Sequence, residues 1–226
     1  MSIVTIVHHI QRQIIEKLTY APSLKFSQLK PAGLESNIFT YHLRQLITQK
    51  LVEKTDDGYT LAPAGLTYVD SLSFTNLKPR KQPKLVTVIA LQNETGQWLL
   101  AQRKIQPFIG RFMLINGKQH FGEAPEIHAE RELQEKTGLQ IPLTRRGLAD
   151  IQITNSNGTL LTHVVGHVYQ GKANNASLPV DMDRFHYQWC DIKTLKDTDL
   201  MPGTREVIDE LVRSSQLFIA SLRVSL

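Results

Sequence analysis

Residues 117–139 read Gly-Lys-Gln-His-Phe-Gly-Glu-Ala-Pro-Glu-Ile-His-Ala-Glu-Arg-Glu-Leu-Gln-Glu-Lys-Thr-Gly-Leu. Within this stretch, Pro125 suits the first turn of a helix, because its missing N–H would be unpaired there anyway. Gly138 suits the left-handed position just past a helix end. The stretch therefore predicts a helix over Pro125–Thr137 that follows a loop containing glycine.

Acidic side chains crowd one face of this predicted helix. At 3.6 residues per turn, Glu132 and Glu135 point the same way, and His128 and Lys136 share their face. Carboxylates on a rigid face beside a glycine loop form a hard-oxygen site suited to Mg²⁺ or Mn²⁺, with phosphate oxygens completing the shell. Taken alone, Glu-x-x-Glu more often marks a solvated helix face with charge pairs. The spacing of the whole stretch favours a divalent-metal site over a solvated helix face.

That spacing resembles the signature of the Nudix hydrolases, a long gapped pattern of glycine, glutamate, arginine and aliphatic residues. The resemblance implies a mixed β-sheet between helices. It also implies a loop–helix–loop that binds a divalent metal and cleaves a nucleoside diphosphate linked to another group. The matching positions are Gly117, Glu123, Arg131, Glu132, Leu133, Glu135, Gly138 and Leu139.

Carried over by position, the resemblance implies a role for each matched polar residue. Glu132 and Glu135 would be metal ligands or activators of water. Gly117 would offer its backbone carbonyl to the metal. Glu123 and Arg131 would complete the catalytic set by bracing the loop against the helix.

Two positions depart from the family's pattern. The loop begins Ile-Asn-Gly where the family often has Pro-Gly-Gly, a mild change because asparagine tolerates glycine-like backbone angles. Lys136 stands where the family usually has a second glutamate, commonly a metal ligand, so a negative charge becomes a positive one. One metal would still find one or two carboxylates, completed by water and phosphate. Alternatively, Lys136 and Lys118 contact the diphosphate, and the site binds its ligand with slow or no hydrolysis.

Apolar runs separated by turn sequences predict the strands of the sheet. A late strand at 187–191 resembles the one that precedes the final helix of Nudix domains. Just before it, Asp181 and Asp183 would supply a third carboxylate or, as the simpler alternative, form an exposed acidic loop. The other predicted strands are 85–91, 98–101, 151–154 and 160–169.

Length and composition predict two folded domains in a reducing compartment. The chain has 226 residues, more than a typical single domain of about 150, and its 41% hydrophobic content suffices for packed cores. Cys190 is the lone cysteine, which excludes an internal disulfide framework. The first residues form too short an apolar run for a secretory signal, and no stretch approaches a membrane span. We therefore expect a cytoplasmic protein without membrane contact.

The excess positive charge lies in the first third of the chain. Residues 1–84 carry 11 Lys and Arg against 6 Asp and Glu, whereas residues 85–226 carry 15 of each. The segment 78–84 combines four cations with two prolines, which predicts a stiff, exposed linker that is either solvated or in contact with a phosphate backbone. We assign a first domain to 1–74, a basic linker to 75–84 and a Nudix domain to 85–226.

The first domain has the pattern of three helices followed by a hairpin. Helices are predicted over 4–18, 26–30 and 36–50, and two short strands flank Asp-Asp-Gly at 56–58. This order predicts a winged helix, and residues 36–65 resemble the recognition helix and wing of small bacterial and archaeal transcription regulators. The buried stripe predicted on the third helix is Phe39, Leu43, Leu46 and Ile47.

The resemblance implies that the exposed face of the third helix enters the major groove of double-stranded DNA, usually as a homodimer. Arg44 and Gln45 suit base edges, and Lys50 or Lys54 suits phosphates. Winged helices also bind proteins, and the acidic wing tip is unfavourable for phosphate contact. The residues predicted to contact DNA are Asn37, Tyr41, Arg44, Gln45, Lys50 and Lys54.

Three functions fit the sequence. The chain is a metal-dependent hydrolase of a nucleoside diphosphate derivative, a DNA-binding regulator whose Nudix-like domain senses such a metabolite, or a protein whose basic domain holds a partner protein. The matched glutamates favour the first function, while Lys136 and the fused winged helix favour the second. The predicted fold is α+β, with a winged helix domain followed by a Nudix-type α/β/α sandwich around a mixed sheet.

Overall fold

A computed structural model of the chain describes residue 6 and residues 8–73, 75–76, 78–174 and 184–226. The chain divides into two units, Met1–Gln82 and Pro83–Leu226. Each unit encloses its own cluster of buried apolar side chains. No helix within the described ranges is long and apolar enough to cross a membrane.

The first unit is helical with two small sheets. Strands β1 and β2 form the predicted hairpin, in which Thr55 pairs with Gly58. Part of the predicted linker is paired too, because β4 lies antiparallel to β3. The elements are α1 (His9–Thr19), α2 (Phe26–Leu29), α3 (Ser36–Thr48), β1 (Val52–Thr55), β2 (Gly58–Leu61), α4 (Pro63–Asp70), β3 (Leu72–Ser73) and β4 (Lys78–Pro79).

The buried side of α3 differs from the predicted stripe at one position. Ile47 is 36% exposed, so its prediction is wrong, and His42 is buried instead. The ring of His42 stacks on that of His8, with centroids 3.9 Å apart, so the residue just before α1 covers this side of α3. The buried side of α3 therefore includes His42 and excludes Ile47. The residues buried as predicted are Phe39, Leu43 and Leu46.

The second unit is built on a seven-stranded mixed sheet with the strand order β10-β6-β7-β5-β9-β8-β11. Two neighbouring pairs, β5 with β9 and β8 with β11, are parallel, and the others are antiparallel. The strands are β5 (Lys84–Gln92), β6 (Trp98–Arg103), β7 (Phe112–Lys118), β8 (Thr144–Thr154), β9 (Leu160–Lys172), β10 (Phe185–Cys190) and β11 (Phe218–Ser225). The helices are α5 (Pro125–Thr137) and α6 (Thr204–Arg213).

Helices cover both faces of this sheet, as the α/β/α prediction requires. On one face, Leu133 of α5 packs with Ile89 and Ile115. On the other, Val207 and Ile208 of α6 pack with Val88 of the same central strand. Because both faces are covered, β5 reads as a continuous apolar run with no polar alternation. The end of β7 thus lies against the C-terminal half of α5, where Gly117 meets Glu132.

Candidate functional site

Helix α5 has the bounds that its local signals predict. Pro125 occupies the first turn, and Gly138 closes the helix with a φ of 70°, in the left-handed region. The preceding loop is tightened by a backbone hydrogen bond from Glu123 to the carbonyl of His120. The loop and the helix are therefore fixed at both ends, which positions the charged side chains between them.

Arg131 is the centre of a cluster of ion pairs. Its Nε and Nη2 donate to the two carboxylate oxygens of Glu123 at 2.7 and 3.0 Å, which attaches the loop to the helix. Its Nη1 contacts Glu132 at 3.1 Å and Glu135 at 2.9 Å. The hydrogen bonds from Arg131, and the backbone N–H of His120, hold the pKa of Glu123 at about 2. We call Glu123, Arg131, Glu132, Glu135 and Lys136 the signature cluster.

Glu132 is the buried member of the signature cluster, with 7% exposure. Its Oε1 lies 3.4 Å from Nε2 of His128, which is fully buried. Gly117 of β7 passes so close that an added Cβ would lie 1.9 Å from Oε2 of Glu132. Position 117 must therefore be glycine for the carboxylate to occupy this place.

Lys136 reaches from α5 to the end of β7. Its Nζ lies 2.9 Å from Oε2 of Glu132 and donates a hydrogen bond to the backbone carbonyl of Asn116. It also lies 5.7 Å from the ring centroid of Phe185. Burial raises the pKa of Glu132, but Lys136, Arg131 and His128 outweigh this effect, so the net shift is downward. The carboxylate is held ionised by side chains of the protein itself.

This arrangement does not fit a resident divalent metal at the predicted ligands. Of that set, Glu132 is paired with Lys136, while Glu135 is 57% exposed and paired with Arg131. The carboxylate of Glu132 and the carbonyl of Asn116, next to Gly117, are oxygen ligands of the kind that a hard cation prefers, and here both already bind the ammonium of Lys136. In the part of the chain that the structure describes, no three His, Cys, Asp or Glu side chains are grouped to hold a metal. Asp181 and Asp183 lie outside the described residues.

A cavity of about 860 Å³ opens beside Lys136 and Gly117. None of its described lining residues is acidic. Burial and the neighbouring cations Lys118 and Arg103 lower the pKa of Lys84, so these charges lie close together. Among the lining residues that the structure describes, five are cations, and we call them the basic lining: Lys84, Arg103, Lys118, Lys136 and Arg184.

Sequence reasoning found Lys118 and Lys136 but missed the rest of the basic lining. Lys84 reads as the end of a linker, yet it is the first residue of β5. The pairing of Val86 with Lys118 puts Lys84 and Lys118 on one face of the sheet, since side chains alternate along a strand. The alternation of side chains along each strand can be read from the sequence. It shows that Lys84 and Lys118 are neighbours only when the register of β5 against β7 is known.

The predicted DNA contacts all belong to the first unit, and four of the six lie on α3. Asn37, Tyr41 and Arg44 are exposed on α3, and Gln45 is half-buried. Lys50, just past the helix, and Lys54, on β1, are exposed as well. No hydrogen bond or ion pair involves the Arg44 side chain within the described ranges. A guanidinium in this state is available to a partner.

Comparison with known proteins extends to both units. The family model of the NUDIX domain matches residues 81–211, and that of a Domain of unknown function (DUF7347) matches residues 4–72. No curated protein matches the chain.

Two solved structures resemble the fold. One is the NUDIX domain of Shewanella oneidensis NrtR complexed with ADP ribose, at 19% identity and a TM-score of 0.50, covering 62% of this chain and 94% of that one. The other is the MutT protein of Bacillus halodurans, at 17% identity and a TM-score of 0.51, covering 62% of this chain and 89% of that one. At these identities the likeness concerns the fold alone.

Proposed function

Because the chain belongs to the Nudix family, we propose that its second unit binds a nucleoside diphosphate linked to another group, and that its first unit binds double-stranded DNA. The chain is then a cytoplasmic regulator that senses a nucleotide metabolite. Nudix hydrolases generally use a divalent metal, typically Mg²⁺ or Mn²⁺. What separates sensing from hydrolysis in this chain is the state of the signature cluster.

The observation that carries the proposal is the contact of Lys136 with Glu132 at 2.9 Å. A carboxylate neutralised by a bound ammonium has less charge to offer a metal or an attacking water. The basic lining, by contrast, suits an anionic ligand. Binding with little turnover is the behaviour that this combination of charges supports.

The DNA-binding half of the proposal is supported by the order of three helices and a hairpin and by the exposed polar face of α3. Arg44 offers a planar guanidinium, which recognises guanine edges through two hydrogen bonds. We expect the DNA-bound form to be a homodimer, as winged helix regulators usually are. The alternative, a partner protein on this surface, predicts no selection of DNA sequence.

The test is selection of DNA from a random library by the full-length protein, followed by binding of the selected site with and without ADP-ribose, the ligand of the NrtR domain. We expect salt-sensitive, sequence-specific binding that changes when the nucleotide is present. Arg44→Ala should weaken it, and Arg44→Lys should retain phosphate attraction while losing base discrimination. Selection of no sequence, or indifference to both Arg44 changes, would contradict DNA binding.

Hydrolysis is the second candidate, favoured by the assembly of Glu123, Arg131, Glu132 and Glu135 around one helix turn with Glu135 exposed. Its test is turnover of ADP-ribose, sugar nucleotides and dinucleotides with Mg²⁺ or Mn²⁺. Hydrolysis that Glu132→Gln abolishes would establish an enzyme. Binding of a compound without its turnover, across the same panel, would rule the enzyme out.

A further inference from the structure

The ammonium of Lys136 has the surroundings of a bound cation. It touches the carboxylate of Glu132 from α5 and the carbonyl of Asn116 from β7, which are oxygen groups of the kind that would bind a metal ion. Phe185 lies beside it, with the ring centroid 5.7 Å from Nζ. The positive charge at this point of the fold is therefore supplied by the chain itself.

A second cation converges on the same aromatic ring. The guanidinium carbon of Arg103 also lies 5.7 Å from the ring centroid of Phe185. Arg103 donates its hydrogen bonds to the carbonyls of Pro107 and Gln106 and contacts the sulfur of Met113. Throughout the described part of the chain, no carboxylate pairs with Arg103, so its charge is left for an anion.

Lys84 and Lys118 add charge from the sheet. Lys84 on β5 and Lys118 on β7 are diagonal neighbours, and both lie on the face of the sheet that carries Val86. Neither forms an ion pair with any residue that the structure describes. The like charges of Lys84, Lys118 and Arg103 lie close enough to repel one another, and an anion in the cavity relieves that repulsion.

We infer that the second unit holds the diphosphate of its ligand without a divalent metal, with Lys136 fixed in the place of the cation and Lys84, Arg103 and Lys118 contacting the phosphates. This inference rests on the proposed function, since it concerns how the same ligand is held. A metal-dependent site needs surplus carboxylate, whereas this cavity has surplus cation. The same excess charge that disfavours a metal ion favours the diphosphate.

The first experiment measures binding of ADP-ribose, UDP-glucose and NAD⁺ to the full-length protein by calorimetry, in EDTA and in Mg²⁺ or Mn²⁺. We expect one of these compounds to bind with affinities that agree within about threefold under the two conditions. Binding that requires the metal would overturn the inference and leave the proposed function standing. Binding of none of them under either condition would overturn both.

The second experiment detects Mn²⁺ itself by electron paramagnetic resonance. The wild-type protein should bind no Mn²⁺ at micromolar concentration, whereas Lys136→Glu should gain a bound Mn²⁺ and should bind the nucleotide only with metal. Lys136→Met removes the charge without adding a ligand, so it should lose nucleotide affinity by about tenfold and gain no Mn²⁺. Tight Mn²⁺ binding by the wild-type protein would overturn the inference.

The third experiment separates the phosphate contacts from general surface charge. In EDTA, Lys84→Ala and Lys118→Ala should each weaken nucleotide binding by about tenfold. Lys172→Ala is the matched control, because Lys172 is also exposed at a strand end of this sheet but lies outside the cavity lining. Equal losses in all three variants, or no loss in the first two, would contradict the assigned contacts.

Discussion

Helices α3 and α5 have the same length, 13 residues, and each buries one side against its own unit. They differ in what happens to their polar residues. On α5, Arg131 forms ion pairs with three carboxylates, and Lys136 forms a further ion pair with Glu132. On α3, Tyr41 and Arg44 face solvent. Two helices of equal length therefore differ in whether their polar side chains are paired within the protein or exposed to solvent.

The polar side chains of α5 are held in place before a ligand binds, whereas those of α3 are not. A side chain held by ion pairs and backbone contacts loses little freedom when a ligand arrives, so α5 is preorganised. An exposed arginine keeps its rotamer freedom and loses it only on binding. We expect substitutions on the polar side of α5 to affect both stability and ligand binding, and those on α3 to affect binding alone.

The largest expected losses of stability come from substitutions on the buried sides of α3 and α5, and we expect similar losses in both helices. Leu46→Ala in α3 and Leu133→Ala in α5 each remove a side chain that is at most 1% exposed, at a cost of about 2–5 kcal/mol in the free energy of unfolding. Denaturant unfolding of the full chain measures both values. Leu66→Ala and Leu160→Ala, at exposed positions, should stay within about 0.5 kcal/mol of wild type. A large disparity between the two buried leucines would contradict the expectation that both helices are anchored equally by their buried sides.

Gly117→Ala tests the fixed geometry of the signature cluster. The new methyl group would displace the carboxylate of Glu132 from Lys136, which should cost about 1–3 kcal/mol of stability and also lower nucleotide affinity. Gly158→Ala is the control, because Gly158 has a φ of 77° and open space around it. Backbone strain there should cost stability, roughly 1–2 kcal/mol, and leave ligand binding unchanged. Unaltered nucleotide affinity in Gly117→Ala would mean that the cluster is not preorganised.

Arg44→Ala and Arg131→Ala compare one arginine from each helix. Arg44→Ala should reduce DNA affinity by about 1–3 kcal/mol and leave the thermal unfolding temperature unchanged. Arg131→Ala should lower that temperature, because three carboxylates lose their shared partner. Gel-shift and thermal-melt measurements on both variants supply the four values. A lowered melting temperature in Arg44→Ala would show that the α3 face is also structural.

Glu123→Gln should have the smallest effect and a defined pH dependence. The pKa of Glu123 is about 2, below its ordinary value of 4.5, so its ion pair contributes fully above pH 4.5 and is lost as the pH falls toward 2. The difference in melting temperature between wild type and Glu123→Gln should therefore be greatest near neutral pH and shrink in acid. Glu130→Gln, at an exposed position on α5, is the control for a change of surface charge. A difference that grows in acid would contradict the assigned pair.

Local signals explain which parts of the fold could be predicted. The bounds of α5 follow from Pro125 and Gly138, and both are read from the sequence without tertiary information. The hairpin of the first unit follows from its Asp-Asp-Gly turn. By contrast, β7, β11 and α4 are absent from the sequence-based prediction, although Pro63 marks the start of α4. Length does not explain the two missed strands, because β7 and β11 have seven and eight residues, whereas the predicted β6 and β10 have six each.

The contacts that decide the site are non-local. Lys136 meets the carbonyl of Asn116 across 20 positions in sequence, and Lys84 joins Lys118 only through the register of β5 against β7. The burial of His42 in place of Ile47 likewise depends on where another element packs. Sequence spacing identified the signature and its anomalous lysine, but the partner of that lysine required the fold.

The ammonium of Lys136 is covalently part of the chain, so it cannot dissociate from the site as a metal ion can. A sensor built around Lys136 would report the concentration of its nucleotide whatever the supply of magnesium or manganese in the cell, and chelation would leave its response intact.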